Sequence, residues 1–481
     1  MAYTTISKCT THYETKLYSG DGGTQTITGL NHQPDMTLVK SRNTTDGWTI
    51  QDAVRGFGQT TKLATYDNSG QNDSGGGSYG NYGYQSAATT DGFTMVAGST
   101  PGQNNKSGNN YCSWNWLAGG TAPTKTYRVV VVNDGGNKYR FRNSANTATF
   151  GSSAIVLNLQ EGGTYTFDVS DSTMNSHPFV LGTASGTDGS YSTGVTYKLD
   201  GATKTYSQYT SGFSSATTRQ LIITVAASAP TLYYNCSAHS GMGAAINTNS
   251  TFGSSNFDGT IHSTVSANTT AGFSISTYTG NNTAGAIVGH DLGNTPKFVM
   301  IKRLDTSGSW ITKTGASTDG YFYLHTNAAI TSSSGWLPTS STTFTLANQW
   351  TAYNASGGTY VAYSFAEIPG YSSIGSYTGN ASTNGTFVYT GFRPSFILTK
   401  TTGTDNWRVL DDKRKGYNPN NDLLQPSITQ ADSEQTWHDI VSNGFKLRTT
   451  DSGDNGSGVE YIYMAFGQTI VGTNNVPATA R

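Results

Sequence analysis

One motif recurs three times along the 481 residues, and a chain carrying three copies of one unit has few folds open to it. Each copy opens with Tyr-x-Gly and then Asp or Asn: Tyr18-Ser19-Gly20-Asp21, Tyr278-Thr279-Gly280-Asn281 and Tyr377-Thr378-Gly379-Asn380. A proline-led segment closed by lysine follows, running from Pro34 to Lys40, Pro296 to Lys302 and Pro394 to Lys400. Opening Tyr and closing Lys are 22, 24 and 23 positions apart, and a tryptophan stands 8, 8 and 7 residues later, at Trp48, Trp310 and Trp407. Each copy ends in an aromatic run: Tyr111 to Trp116, Tyr360 to Phe365 and Tyr461 to Phe466. Shorter marks keep register. Asp91-Gly92-Phe93 answers Asn443-Gly444-Phe445, and Asp52 and Asp412 each begin Asp-x-x-x-Gly 12 residues after the lysine. The copies therefore occupy about 13–119, 270–368 and 371–468.

The repeated segments are rich in aromatic and β-branched residues and are separated by Gly, Asn, Ser and Thr, which reads as short strands joined by polar turns. Low hydrophobicity can signal disorder, but a disordered chain is poor in aromatics and rich in charge. Here aromatics and charged residues each make up 12%, so the expectation is an ordered, all-β chain. The repeated Trp and Tyr are expected as core anchors, with sugar stacking as their other possible use. The stretch Gly75 to Tyr84 reads as a connector or an adaptable contact loop.

Formal net charge is −1, and the one basic cluster, Lys413-Arg414-Lys415, directly follows Asp411-Asp412. That speaks against a nucleic-acid partner, which needs a basic stripe. The sequence contains no apolar run near the ~18 residues of a spanning helix, so no membrane insertion is expected. The N-terminus lacks a charged-then-apolar signal segment, which points to synthesis in a cytosol. Three widely spaced cysteines, Cys9, Cys112 and Cys236, do not suggest a disulfide framework.

Between the first and second copies the sequence changes character. Strands are expected at 127–132, 154–159, 164–168 and 220–225. Two further features carry chemistry: Ser176-His177-Pro178, and Cys236-Ser237-Ala238-His239-Ser240-Gly241-Met242-Gly243. Cys-x-x-His-x-x-Met at a strand end can gather a thiolate, an imidazole and a thioether around one point. Gly241 and Gly243 permit the tight backbone. The second imidazole must come from elsewhere, and His177 is the other histidine of the segment. Two His, one Cys and a weak axial Met suit copper; zinc, which also takes Cys and His, is the lesser candidate. His12, His32, His262, His290, His325 and His438 are scattered singly and read as structural or surface residues.

The repeats, and the ending Ala465-Phe466-Gly467 through Val476-Pro477-Ala478-Thr479-Ala480-Arg481, resemble the concanavalin A-like (laminin G-like) modules of marine tailed phages, especially cyanophages. The middle segment resembles the cupredoxin fold with a short ligand loop, which implies His177, Cys236, His239 and Met242 as metal ligands. The residue usual before the first histidine is not plainly present in Asn175-Ser176-His177. Together the resemblances imply an all-β chain of three concanavalin A/laminin G-like β-sandwich modules, at 1–120, 251–369 and 370–481, and a cupredoxin-like Greek-key β-sandwich at 121–250. They imply a non-enzymatic structural component of the virion, displayed as a fibre or capsid decoration. Its expected partners are other virion proteins, a host-surface glycan, and further copies of itself, three if it forms a fibre. The competing expectations are a tailspike-type polysaccharide-degrading enzyme using paired carboxylates, a copper oxidoreductase using the central site, and an architectural protein without host contact.

Overall fold

The computed structural model describes all residues except 1–4, 72–78, 101, 120–121, 144, 148, 249–252, 316–319, 416 and 470–481. Residues 75–78 of the glycine-rich stretch and the Val476 to Arg481 ending thus lie outside the described residues. The fold is all-β, built as sandwiched sheets, and divides into two compact units. One is formed by Met1–Gly120, Ala267–Gly285 and Asp291–Arg481; the other by Thr121–Ser266 and Ala286–His290.

In the first unit every repeat builds the same four-stranded antiparallel arrangement. The opening strand (Tyr13–Ser19, Phe273–Thr279, Ser372–Thr378) lies beside the closing strand (Asn110–Trp116, Thr359–Phe365, Glu460–Thr469). The closing strand is flanked on its other side by the lysine strand (Met36–Ser41, Phe298–Arg303, Phe392–Thr401). The strand after the tryptophan (Thr49–Asp52, Ile311–Thr314, Arg408–Asp411) comes next. Register is shared: Tyr18 faces Tyr111, Tyr278 faces Tyr360, and Tyr377 faces Tyr461.

The motif residues explain themselves once paired. Each of these tyrosine pairs stacks, at centroid distances of 5.0, 5.1 and 5.0 Å. The first tyrosine of each pair donates its phenol to a backbone carbonyl, on Asn104, Tyr353 and Asp454. The three lysines are fully buried, and each donates to a carbonyl of the turn beyond its strand. Lys40 donates to Ser41 and Thr44, Lys302 to Gly308, and Lys400 to Thr401 and Gly403, while Lys302 also reaches the Asn68 carbonyl of the first repeat. A buried ammonium needs such acceptors, because an unpaired one costs several kcal/mol or shifts its pKa. Trp48, Trp310 and Trp407 are all wholly buried.

One face of each repeat contributes to a shared apolar cluster that includes Trp48, Trp310 and Trp407. The first and third repeats also keep clusters of their own, around Tyr18 and Phe93 and around Tyr377 and Phe445. At its centre the equivalent last aromatics of the closing strands, Trp116, Phe365 and Phe466, meet one another at 6.4, 5.9 and 5.7 Å. Hydrogen bonds link each pair of repeats around this triad. Tyr363 of the second repeat donates to Asp52 of the first, and Trp114 of the first donates to Asp411 of the third. Trp310 of the second donates to Ala64 of the first, and Trp407 of the third to Tyr323 of the second. The unit is a closed, pseudo-threefold ring of repeats.

In the second unit two sheets enclose an aromatic core. One carries Thr124–Asn133, Asn137–Arg142, Thr164–Asp168 and Arg219–Thr224; the other carries Phe179–Gly182, Leu232–Cys236 and Ala245–Asn247. Thr124–Asn133 runs parallel to Thr164–Asp168, while most other pairings are antiparallel. The sequence places the end of this domain at 250, but the compact unit continues to Ser266. The cause is Phe257, which stacks on Phe141 at 4.6 Å inside the core, while the Ser255 carbonyl accepts from the Tyr127 phenol.

Candidate metal centre

Strand register brings the donors together. Phe179 pairs with Cys236, so His177, two residues before Phe179, arrives beside the last residue of the Leu232–Cys236 strand. A short 3-10 turn at Ser172–Met174, capped by the Asp171 side chain, feeds into His177, whose N–H donates to the Met174 carbonyl at 2.8 Å. After Cys236 the chain turns back through His239, helped by Gly241 at φ +74°.

The three donor atoms form a compact triangle. His177 Nδ1 and His239 Nδ1 are 3.1 Å apart, and Cys236 Sγ lies 3.9 Å and 3.6 Å from them. A point equidistant from the corners of that triangle lies about 2.1 Å from each, close to the 2.0–2.3 Å of metal–nitrogen and metal–sulfur bonds. The donor set fits a single ion. His177 and Cys236 are buried while His239 is exposed, so one side of the site is open to solvent. Burial, with the His239 ring beside it, pulls His177 below the ordinary imidazole value, which favours the neutral form that binds metal. Met242 is 1% exposed and lies in the same apolar cluster as Cys236.

Three braces, Asn137, Lys138 and Tyr139, were invisible in the sequence. The Asn137–Arg142 strand holds both ligand segments: the Tyr139 N–H donates to the Met242 carbonyl at 2.8 Å, and its phenol donates to the His177 carbonyl at 3.0 Å. Lys138 donates to the Gly241 carbonyl. The Asn137 side-chain amide lies 3.4 Å from His177 Nε2. When Nδ1 faces a metal, Nε2 carries the proton, and an amide turned to present its oxygen accepts it and fixes the ring. Asn137 and Tyr139 sit about 40 and about 100 residues from the ligands they hold, with no spacing to mark them.

Comparison with protein families places the rest of the chain. The profile of a domain of unknown function, DUF7483, matches residues 8–136 and 235–469, together more than half of the sequence. The chain belongs to the DUF7483 family. None of the curated proteins and none of the solved structures compared with it matches. The DUF7483 match covers the three repeats and takes in Cys236, His239 and Met242, but it passes over 137–234 and so leaves out His177. One member of the His177–Cys236–His239 cluster therefore comes from a segment outside the family match and two from within it.

Elsewhere in this DUF7483 chain the buried carboxylates are engaged within the fold. Asp52 pairs with Arg55, Asp411 with Arg414, and Asp454 with His438, all with wholly or almost wholly buried side chains. The Asp411–Arg414 pair matches the local charge balance expected for the Lys413-Arg414-Lys415 cluster. His438 was expected to be structural, and it lies in such a pair.

Proposed function

We propose that the protein is a structural component of a tailed-phage virion, displayed as a fibre or capsid decoration and mediating adhesion to a host surface or glycan. The observation that supports this reading most is the Trp116–Phe365–Phe466 triad. Three laminin G-like repeats closed around one core make a rigid scaffold within a single chain. The signature residues of the repeat lie inside the fold, as stacked tyrosine pairs, buried lysine clamps and core tryptophans, which leaves the outer surface and loops to carry recognition. Weak contacts from a scaffold present in many copies gain strength by avidity.

The inserted sandwich is read as cupredoxin-like, with His177, Cys236 and His239 holding one copper ion and Met242 as a weak fourth donor. The ion supplies binding free energy to the folded state alone and so stabilises it. Asn137 and Tyr139 hold the donors in place whether or not electrons are exchanged.

The test is mass spectrometry of purified particles followed by a particle reconstruction. The protein is expected in stoichiometric amount on the exterior of the particle. Its absence from purified virions would sink the reading.

A further inference from the structure

The outer sheets of the first and third repeats share a register, which makes the first an internal control for the third. In the first repeat Thr26 faces Thr94, Ile27 faces Phe93 and Thr28 faces Gly92. In the third, Phe387 faces Lys446, Val388 faces Phe445 and Tyr389 faces Gly444. Ile27 and Val388 point inward with Phe93 and Phe445, and all four belong to buried clusters. By alternation the neighbours on either side point outward. The first repeat fills those outward places with two threonines; the third fills them with two aromatics, 46% and 59% exposed. The fold does not require aromatic rings there, since threonine serves the same register.

The surroundings have a definite chemistry. Residues two apart on a strand are about 7 Å apart, so the two rings form one row on the sheet face. Lys446 stands directly opposite Phe387 on the same face, and among the described residues no carboxylate lies within salt-bridge reach of it. Its other cross-strand neighbour, Asp439, is held instead by Arg448 Nε at 2.5 Å. In the first repeat the corresponding row is Thr26, Thr94 and Ala87, with no charge at all. Exposed apolar residues standing singly are ordinary, but two aromatic rings in one row form a contiguous patch of the kind that interaction sites use. Aromatic faces stack on the C–H faces of pyranose rings, and a free ammonium at the edge of the row selects a sugar bearing a carboxylate.

We infer that Phe387, Tyr389 and Lys446 form a binding platform for an acidic polysaccharide on the outer sheet of the third repeat. The two rings take consecutive sugars and Lys446 takes a carboxylate. This deepens the adhesive part of the proposed function and rests on it.

The experiment is affinity electrophoresis of the full chain in gels containing polygalacturonate, alginate or neutral dextran. Wild type is expected to be retarded by at least one acidic polymer and much less by dextran. The double substitution Phe387→Thr with Tyr389→Thr, which installs the residues of the first repeat, is expected to weaken retardation at least tenfold with an unchanged melting temperature. Lys446→Gln keeps the rings, and is expected to abolish the preference for acidic over neutral polymer. No retardation by either acidic polymer, or equal retardation of wild type and both variants, overturns the inference. Virion incorporation is measured separately. A chain found on particles that ignores both acidic polymers loses the platform and keeps the structural role; a chain absent from particles that still binds them loses only the role.

Discussion

His177 Nδ1 and His239 Nδ1 face each other at 3.1 Å, with the Cys236 sulfur completing the triangle. Two neutral imidazoles can share that distance only if one donates and the other accepts, whereas one cation satisfies both lone pairs and the thiolate at once. The protein is therefore expected to bind one equivalent of copper, with a visible thiolate-to-copper(II) absorption. Cys236→Ser is expected to abolish both, while Cys9→Ser and Cys112→Ser leave them intact, because those thiols are buried in the core of the repeat unit. Metal analysis after dialysis checks this; equal loss from all three changes contradicts it.

The brace on His177 gives a second expectation. Asn137→Ala leaves all three donors in place but frees the ring of its Nε2 partner. Loss of such an outer hydrogen bond typically lowers metal affinity by 10–100-fold. Competition with a chelator of known affinity measures it, and an unchanged dissociation constant would show that Asn137 does not orient the ring.

Fold class was legible because strand alternation is local in sequence, and the Cys236-x-x-His239-x-x-Met242 loop was visible because it falls within seven residues. That His177 lies beside Cys236 and His239 follows from the pairing of Phe179 with Cys236. The ring was not legible. The same spacing that reveals three copies is compatible with three separate sandwiches, and only the contacts of Trp116, Phe365 and Phe466, some 100 to 350 residues apart, distinguish the two. The place of Phe257 was not legible for a similar reason: it belongs to the inserted core by packing, and nothing in its neighbours announces that. The repeated lysine was visible as a mark, but its role as a carbonyl clamp depends on where the following turn folds back.

That clamp is testable at Lys400. Burial pulls its ammonium down to about 8, with Arg408 adding to the effect and Asp405 opposing it. Between about 8 and about 10.4 the unfolded chain holds this proton and the folded chain does not, so this group makes stability rise with pH across that window. Lys400→Met removes that rise and leaves the buried Thr401 carbonyl and the half-buried Gly403 carbonyl without this donor, for a cost of about 1–3 kcal/mol at neutral pH. Urea unfolding at pH 7 and pH 10 checks both the size and the slope.

Acid acts on a different group. Burial alone would push the Asp454 carboxyl up, but the charge and hydrogen bond of His438, with Arg408 and the Tyr377 phenol, outweigh it and hold the group at about 2. Its folded value lies below its unfolded one, so its contribution is complete above about pH 4 and disappears as pH falls towards 2. The loss is on the order of 2 kcal/mol, and Asp454→Asn should flatten that part of the stability curve. A wild-type curve with the same acid slope as the variant would remove Asp454 from the account.

The ring makes the strongest mechanical claim. If the repeats shared only linkers, truncating one core aromatic would lower the melting temperature of one repeat and leave the others. Phe466 instead contacts Trp116 of the first repeat and Phe365 of the second, besides Tyr13 and Phe396. Phe466→Ala is expected to cost about 3–5 kcal/mol, as for other buried aromatics. It should do so by shifting one cooperative transition in which all three repeats unfold together. Hydrogen exchange resolves the question strand by strand. Loss of protection should appear equally in Asn110–Trp116 and Thr359–Phe365, the closing strands of the two unmutated repeats. Protection retained there while only Glu460–Thr469 opens would mean that each repeat folds on its own and that the aromatic triad is merely a contact surface between finished modules.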